Sequence, residues 1–313
     1  MKTRLVYCVP ALLVCLGLGC GTDSQPNDHD GGSDAAPGSA DAATSDGAPA
    51  GFTELVSAPF TVPPGMEIYR CARLTVTEDI YVSEFMALAP EGTHHTVVTL
   101  QDPNGADGDF DCGPGTLSDE MIYASGVGTD QLAFPSGVAM KIAAGQQILL
   151  NLHLFNVSEN PITARAGTLI RTIPAADVEQ EAEMLFAGNV QFSIPSGGES
   201  VVNGTCTFNE PATVMTVWPH MHQYGTHMKV AISRSGGGED VIHDRPYSFY
   251  EQINWPLTPA VTINSGDRVR VTCTYMNTSG SSIGFGDSSE DEMCFAGLYR
   301  YPKAGTALPF CIF

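Results

Sequence analysis

Three histidines lie close together in the segment VWPHMHQYGTHMK, residues 217–229, of a chain that has only 8 histidines among 313 residues. His220 and His222 are two positions apart, so on a β-strand, where side chains alternate, both project from the same face. His227 lies five positions further on and falls on the other face of a straight strand. Imidazoles at this spacing are typical of a metal site. A catalytic base with polar neighbours and a chance accumulation of histidines are the alternatives.

Four further residues are candidate metal ligands, because imidazoles and thioethers both bind transition metals. His94 and His95 are adjacent in EGTHHTVVTL, His153 lies near the end of the apolar segment LLNLHLFN, and Met293 stands in SSEDEMCFAGLY. Neighbouring residues point to opposite faces of a regular strand, so His94 and His95 can share a metal only where the backbone bends, which Gly92 permits. Taken singly, an adjacent His pair is more often a surface pair than a metal site. A histidine on an apolar strand is more often a hydrogen-bonded core residue than a ligand, and a methionine is by default part of the core.

Short segments rich in β-branched and aromatic residues are predicted to be the strands that carry these side chains. Gly, Pro, Asn and Asp separate them, and the segments are MEIYRCARLTV, DIYVSEFMAL, HTVVTLQD, QQILLNLHLF, AGTLIRTI, VQFSIP, ATVMTVWP, HMKVAISR and RVRVTCTYM. The only helix-like pattern, AADVEQEAEMLF near 175–186, is interpreted as a connector. Many short strands between turn residues predict an all-β fold built from antiparallel sandwiches or jelly rolls.

The N-terminal end of the chain has the pattern of an export signal followed by a tether. Lys2 and Arg4 precede a short apolar segment, and residues 1–20 are too short for a stable membrane span. The segment LGLGC resembles the bacterial lipobox, which implies lipidation of Cys20; plain secretion is the alternative. Residues 21–52 consist mainly of Asp, Gly, Ser, Ala and Pro, which predicts a disordered acidic tether. The expected location is the bacterial cell envelope, with the membrane contacted only through an N-terminal lipid anchor.

Composition limits the partners of the globular part. From residue 53 the chain is ordinary globular sequence of about 260 residues, which suits either one large domain or two domains, 53–174 and 175–313. The whole chain has 14 basic and 35 acidic residues, a formal net charge of −21. Without residues 1–52 the balance is 12 against 29, or −17. No basic run is present, which argues against a nucleic-acid partner.

The cysteines predict a disulfide framework. Of the nine in the chain, six remain once residues 1–20 are set aside. An even number in an exported protein indicates three disulfides, and six cysteines allow 15 pairings that spacing alone does not resolve. No CxxC pair occurs, so a zinc knuckle or a thioredoxin-type site is unsupported. The six are Cys71, Cys112, Cys206, Cys273, Cys294 and Cys311.

Taken together and in order, these motifs resemble those of the copper type II, ascorbate-dependent monooxygenases. The resemblance runs from about residue 60 to the C-terminus. The motifs that carry it are YRC, the His-His pair in THHTVV, FDCG, FPSGVAMKI, LLNLH, FSIPSGGESVVNGTCTF, PHMHQYG, SGDRVRVTCTY, SSEDEMC and LPFCIF.

The resemblance implies two tandem antiparallel jelly-roll β-sandwich domains, with one copper ion on each, facing each other across a solvent-filled cleft. The ligands it implies for an electron-transfer copper are His94, His95 and His153. The ligands it implies for the copper that binds O₂ and performs the hydroxylation are His220, His222 and Met293. A soft thioether favours Cu(I), the form that reacts with O₂. The implied disulfides are Cys71–Cys112, Cys206–Cys311 and Cys273–Cys294, while His227 and His243 fall outside the ligand pattern.

One departure from the family concerns the substrate. In the peptide-processing branch an Arg two residues before the His-x-His motif grips the substrate carboxylate, assisted by Asn and Tyr just after the Met-Cys pair. These positions are occupied here by Trp218, Phe295 and Gly297. The bidentate donor is therefore missing, and a hydrophobic wall is expected in its place.

These observations predict a copper-dependent monooxygenase that hydroxylates an aliphatic C–H bond of a small substrate with O₂. Two copper ions are the expected cofactors, with ascorbate or a similar compound as the reductant. The alternatives are a copper-binding lipoprotein without turnover and a jelly-roll binding module without metal. Copper stoichiometry distinguishes the binding module without metal from the two copper proteins. Donor-dependent oxygen consumption distinguishes the monooxygenase from the lipoprotein without turnover.

Overall fold

The computed structural model describes residues 48–115, 119–126, 129–251, 253–304 and 310–312. The predicted signal peptide 1–20, with Cys20, and nearly all of the predicted tether 21–52 lie outside the described residues. The described part is almost entirely β-structure, with one short 3₁₀ turn at Ala175–Asp177, which confirms the all-β prediction. No helix of the described residues is long and apolar enough to cross a membrane.

The strands of the first half precede the 3₁₀ turn. They are β1 (Thr53–Val62), β2 (Glu67–Thr75), β3 (Ile80–Leu88), β4 (Thr93–Gln101), β5 (Gly108–Asp111), β6 (Glu120–Gly126), β7 (Leu132–Ala133), β8 (Val138–Ile142), β9 (Gln147–Phe155) and β10 (Ile162–Thr172).

The strands of the second half follow the turn. They are β11 (Gln180–Asn189), β12 (Ser193–Ile194), β13 (Gly198–Thr207), β14 (Ala212–His220), β15 (Gly225–Ser233), β16 (Glu239–Pro246), β17 (Trp255–Ile263), β18 (Arg268–Asn277), β19 (Ile283–Gly284), β20 (Cys294–Tyr301) and β21 (Phe310–Ile312).

The two halves have the same strand order. In the first half, one sheet runs β1-β10-β3-β8 and the other contains β2-β9-β4-β6; in the second, the corresponding orders are β11-β20-β14-β17 and β13-β18-β15-β16. The turns repeat as well: the Asn156 side chain after β9 donates to the Val62 carbonyl, and the Asn277 side chain after β18 donates to the Ile194 carbonyl. Each half is therefore a two-sheet sandwich. The finer jelly-roll assignment and the boundaries 53–174 and 175–313 remain predictions.

A single sheet passes through both halves. Parallel pairing of β8 with β11 joins the two four-strand rows, so that β11 lies in the middle of the combined sheet. The helix-like pattern near 175–186 is thus mostly strand, because pairing on both edges and burial override the local preference of its Ala and Glu residues. The two halves are therefore joined by the hydrogen bonds of one sheet rather than by a loose connector.

Strands β11, β14 and β20 are buried on both faces. On β14, Val214 and Val217 pack into the core of the second sandwich, whereas Met215 and Trp218 pack into a core that is continuous with the first. Long uninterrupted buried runs on these strands replace the alternation expected of a strand with one solvent face. The residues on the second face, among them Met293 and Phe295, therefore lie where the two halves meet.

Within the described residues there are three disulfides, and they are the pairs implied by the family resemblance. They are Cys71–Cys112, Cys206–Cys311 and Cys273–Cys294. The first belongs to the first half, and the other two belong to the second.

Candidate metal centre

The first set of histidines comes from two neighbouring strands. His94 and His95 lie at the start of β4, and His153 lies opposite His95 on β9. The pairing of the two strands is irregular between Thr93 and His95. Gly92, with φ of +90°, precedes this irregularity. The bend expected at the strand entrance is therefore present, and it brings adjacent histidines to one location.

The ring nitrogens of this set converge. The Nδ1 atoms of His94 and His95 are 3.1 Å apart, and those of His95 and His153 are 3.4 Å apart. One potential ligand atom from each histidine lies within 4.8 Å of the others. Nitrogens about 2.0–2.1 Å from a shared ion are separated by distances of this kind. The first set thus fits a transition-metal ion held by three imidazoles.

Burial keeps these imidazoles neutral. It lowers the pKa of His94 to about 4, with smaller contributions from His153 and His222. Burial also lowers the pKa of His95 and of His153, although in His153 the nearby Glu67 carboxylate opposes the effect. A neutral ring has a lone pair available for a metal, so the electrostatics of the cluster agree with its geometry.

Two residues outside the predicted ligand sets support His153. The Glu67 Oε1 atom lies 2.5 Å from His153 Nε2. The Tyr69 ring stacks on the His153 ring with centroids 4.6 Å apart and an interplanar angle of 8°. Burial, followed by the charge of Glu67 and a hydrogen bond to it, raises the pKa of Tyr69 to about 12. Because side chains alternate along a strand, the sequence could show that Glu67 and Tyr69 share a face of β2. It could not show that β2 pairs with β9 and brings them beside His153.

The second set differs from the prediction that His220 and His222 both lie on one strand. Strand β14 ends at His220, and His222 lies in the following turn rather than on the strand. Their rings are 5.2 Å apart and nearly perpendicular, at 86°. The His222 Nδ1 atom is 3.1 Å from the Asp291 carbonyl, to which it donates when that nitrogen carries the proton. This arrangement leaves the Nε2 atom of His222 as the one for a ligand bond. Met293 lies immediately before β20 and is buried.

Glu292 ties the turn after β14 to the start of β20. Its carboxylate accepts hydrogen bonds from the backbone N–H groups of His222, Tyr224 and Met293, at 2.8, 2.7 and 3.2 Å. Burial raises the pKa of Glu292 to about 7, against the opposing effect of these N–H groups. Glu292 was not predicted from the sequence. The structure shows that it holds His222 and Met293 in a common frame.

The Cys273–Cys294 bridge supports the same frame. Cys294 directly follows Met293 and is fully buried, and the Tyr275 hydroxyl donates to the Met293 carbonyl at 2.7 Å. Strand β18 therefore holds this segment at two points. The disulfide from Cys273 fixes the residue after Met293, and Tyr275 holds the Met293 carbonyl by a hydrogen bond.

Removal of this bridge is expected to weaken the second set selectively. In a variant with Cys273→Ser and Cys294→Ser, copper binding at His220, His222 and Met293 should fall, while binding at the first set persists. Opening a loop with a separation of 21 residues should also lower the free energy of unfolding by about 3 kcal/mol. Site-resolved copper titration, followed by EPR, measures the effect. The matched control removes Cys206–Cys311, and equal losses of second-set affinity in both variants would contradict this prediction.

Both sets border one cavity. Its walls include His95 and His153 from the first set and His220, His222 and Met293 from the second. The water-accessible volume is about 60 Å³, enough for a few water molecules.

Phe249 lies between the two sets. Its ring centroid is 4.7 Å from that of His94 and 6.2 Å from that of His222. It belongs to the connection between β16 and β17, and further along this connection Asn254 donates to the Ala124 carbonyl of the first half. No sequence pattern marks Phe249, because the contact joins residues that are distant in the chain.

Aromatic side chains form a wall at the position where the peptide-processing branch has its carboxylate-binding Arg. Trp218 pairs in register with Gly297, and its ring stacks on His220 at 4.7 Å. Phe186 packs edge-on against both Trp218 and Phe295. A Cβ atom at Gly297 would overlap the terminal methyl of Met184 and stand 3.2 Å from the indole of Trp218. The small residue therefore leaves room for both side chains, and the wall is apolar.

His227 and His243 lie outside the cavity lining. The Nε2 atom of His227 is 3.1 Å from Asp244. His227 pairs with Thr274 on β18, just as His95 pairs with His153 on β9, and both pairings follow an irregularity. The second half therefore repeats the backbone of the first site without its histidine partner. Burial lowers the pKa of His243 to about 4, and its ring lies against Trp255.

Residues 180–312 match the family described as copper type II ascorbate-dependent monooxygenase, C-terminal domain. The matched region contains His220, His222 and Met293. Among solved structures, the chain is similar to BpGH86A, a beta-porphyranase of glycoside hydrolase family 86 from the human gut bacterium Bacteroides plebeius, with 9% identity and a TM-score of 0.16. That alignment covers 79% of this chain and 36% of the other. The chain thus spans little more than a third of that protein, and a likeness this weak carries no argument.

Proposed function

Because residues 180–312 match the C-terminal domain of the copper type II ascorbate-dependent monooxygenases, we propose that this protein hydroxylates an aliphatic C–H bond of a small molecule. One atom of O₂ enters the C–H bond and the other leaves as water, which consumes two electrons and two protons from an ascorbate-like donor. The observation that carries the proposal is one cavity bordered by both ligand sets, by His95 and His153 on one side and by two imidazoles with a thioether on the other.

The residues divide into two roles. His94, His95 and His153 hold the copper that stores an electron. Copper held by His220, His222 and Met293 supplies one-electron chemistry toward O₂ when it is bound, and the soft thioether favours its reduced form. Three protein ligands leave open coordination positions, as a catalytic metal requires.

The protein's own contribution is to orient these ligands and exclude water. Glu292 and the Asp291 carbonyl hold His222, and Tyr275 with the neighbouring disulfide holds Met293. The aromatic wall around Trp218 covers one side of the cavity. A cavity with fixed ligands and room for only a few water molecules limits the loss of reactive species to solvent.

The wall also defines the substrate class that we propose. A carboxylate that enters a cavity lined by Phe186, Trp218 and Phe295 would lose its hydration without gaining a paired charge. A neutral or cationic small molecule with an activated C–H, benzylic or next to a heteroatom, fits this wall better than a peptide C-terminus does.

The test supplies copper, ascorbate and O₂ with a glycine-extended peptide and a phenethylamine-like compound in parallel. We expect hydroxylation of the amine, detected by mass spectrometry, with little conversion of the peptide. Efficient conversion of the peptide alone would show that another residue replaces the missing Arg. Copper binding without donor-dependent oxygen consumption would instead favour the lipoprotein without turnover, and failure to bind copper would favour a binding module.

We also propose that the chain is exported to the cell envelope and attached to a membrane through a lipid on Cys20. The support is the lipobox-like LGLGC and the tether that follows it. Metabolic labelling with a fatty-acid analogue should mark the native protein but not a Cys20→Ala variant.

A further inference from the structure

We propose that Glu67 is a positioning residue for His153, and that its carboxylate makes the first ligand set favour oxidised copper. This inference rests on the proposed function, because it assumes copper at both sets. Glu67 does not belong to either ligand set.

The contact between Glu67 and His153 fixes the imidazole. His153 is 3% exposed, and its Nε2 atom lies 2.5 Å from a carboxylate oxygen of Glu67. An ionised carboxylate only accepts hydrogen bonds, so the proton of the neutral imidazole must be on Nε2. The lone pair is then on Nδ1, the atom that lies 3.4 Å from His95 Nδ1.

Two further features make this a built contact. The Tyr69 ring stacks on His153 and restricts rotation of the imidazole. Glu67 and Tyr69 both lie on β2, in register with the end of β9, so the sheet itself holds the carboxylate against the ring.

The second set has a different electrostatic support. His222 is oriented by the carbonyl of Asp291, which is neutral. Glu292 is the nearby carboxylate there, and the hydrogen bonds described for it come from backbone N–H groups rather than from an imidazole. At His153, by contrast, the acceptor is a carboxylate oxygen bonded directly to the ligand ring.

The contact has a direct electrostatic consequence for a bound metal. A carboxylate on a ligating histidine raises the basicity of the ring and stabilises the more highly charged metal ion. The Glu67 carboxylate therefore lowers the reduction potential of copper at the first set.

The experiment compares Glu67→Gln, Glu67→Ala and a matched control, Glu91→Gln. The control removes the charge of an exposed carboxylate three residues before His94. Three properties are measured: the tautomer of His153 in the metal-free protein by ¹⁵N NMR, the Cu(II) affinity of each set, and the reduction potential of each set.

We expect Glu67→Ala to lose the Nε2–H tautomer and to bind Cu(II) at the first set roughly 10- to 100-fold more weakly. Glu67→Gln should keep the tautomer, since its amide oxygen still accepts, but should raise the first-set potential. Glu91→Gln should change neither property, and the second set should be unaffected throughout.

An unchanged tautomer in Glu67→Ala would overturn the positioning role. A potential shift in Glu67→Gln no larger than that in Glu91→Gln would overturn the electrostatic role. These outcomes are distinct from failure of the proposed function, which would appear as two bound coppers without turnover. The tautomer measurement needs no copper at all.

Discussion

Replacement of His220 by alanine is expected to abolish turnover and to lower the copper content from two ions per chain to one. His220 stands at the end of β14 with its ring against Trp218 and close to His222. Removing a ligand should reduce the rate by more than the roughly 10- to 100-fold typical of outer-shell partners. Met293→Ala should have the same effect on turnover, with the remaining copper still bound by the first set.

His227→Ala is the matched control, because this histidine lies outside the cavity lining, beside Asp244. It should retain two coppers and full turnover. Metal analysis and oxygen consumption are measured on the same samples. Loss of both coppers in His220→Ala, with the fold intact by circular dichroism, would contradict the assignment of two separate sets.

Replacement of Glu183 by alanine is expected to lower the free energy of unfolding by about 3–5 kcal/mol. Glu183 on β11 and Arg300 on β20 form a buried ion pair, with exposures of 2% and 7%. The same carboxylate oxygen accepts from Arg300 Nε and from the Ala304 N–H. Without Glu183 the guanidinium stays buried without a counter-charge, and that is the source of the large loss. Chemical denaturation measures it.

Two controls separate burial from charge pairing. Glu239→Gln breaks the exposed pair with Lys229 and should change stability by less than about 1 kcal/mol. A double variant with Glu183→Met and Arg300→Met should recover most of the loss, because it leaves no unpaired charge. A double variant as unstable as Glu183→Ala would show that packing, not the unpaired charge, causes the effect.

Much of this arrangement is visible in the sequence, because strand periodicity and turn residues act locally. The all-β fold follows from them, and the ordered motifs imply the three disulfide pairs that the structure contains. The sequence also supplies the ligand candidates, and the structure brings His94, His95 and His153 together. Whether the six candidates bind copper remains a prediction.

What the sequence does not reveal depends on contacts between distant strands. Glu67 reaches His153 only because β2 pairs with β9, and Phe249 reaches His94 only because a connection of the second half crosses to the first. The segment near 175–186 has helical composition, yet sheet pairing makes most of it β11. Residue types alone carry no information about these neighbours.

The sheet that is buried on both faces has a consequence for modularity. The family match covers only residues 180–312, which invites their treatment as a separable unit. Met184, Met215 and Tyr299, however, belong to the core shared with the first half. A fragment cut at residue 180 would present these side chains to water, together with the unpaired edge of β11 that β8 normally occupies. Such a surface favours self-association over solubility. The second half is thus a recognisable unit of sequence without being an autonomous unit of folding.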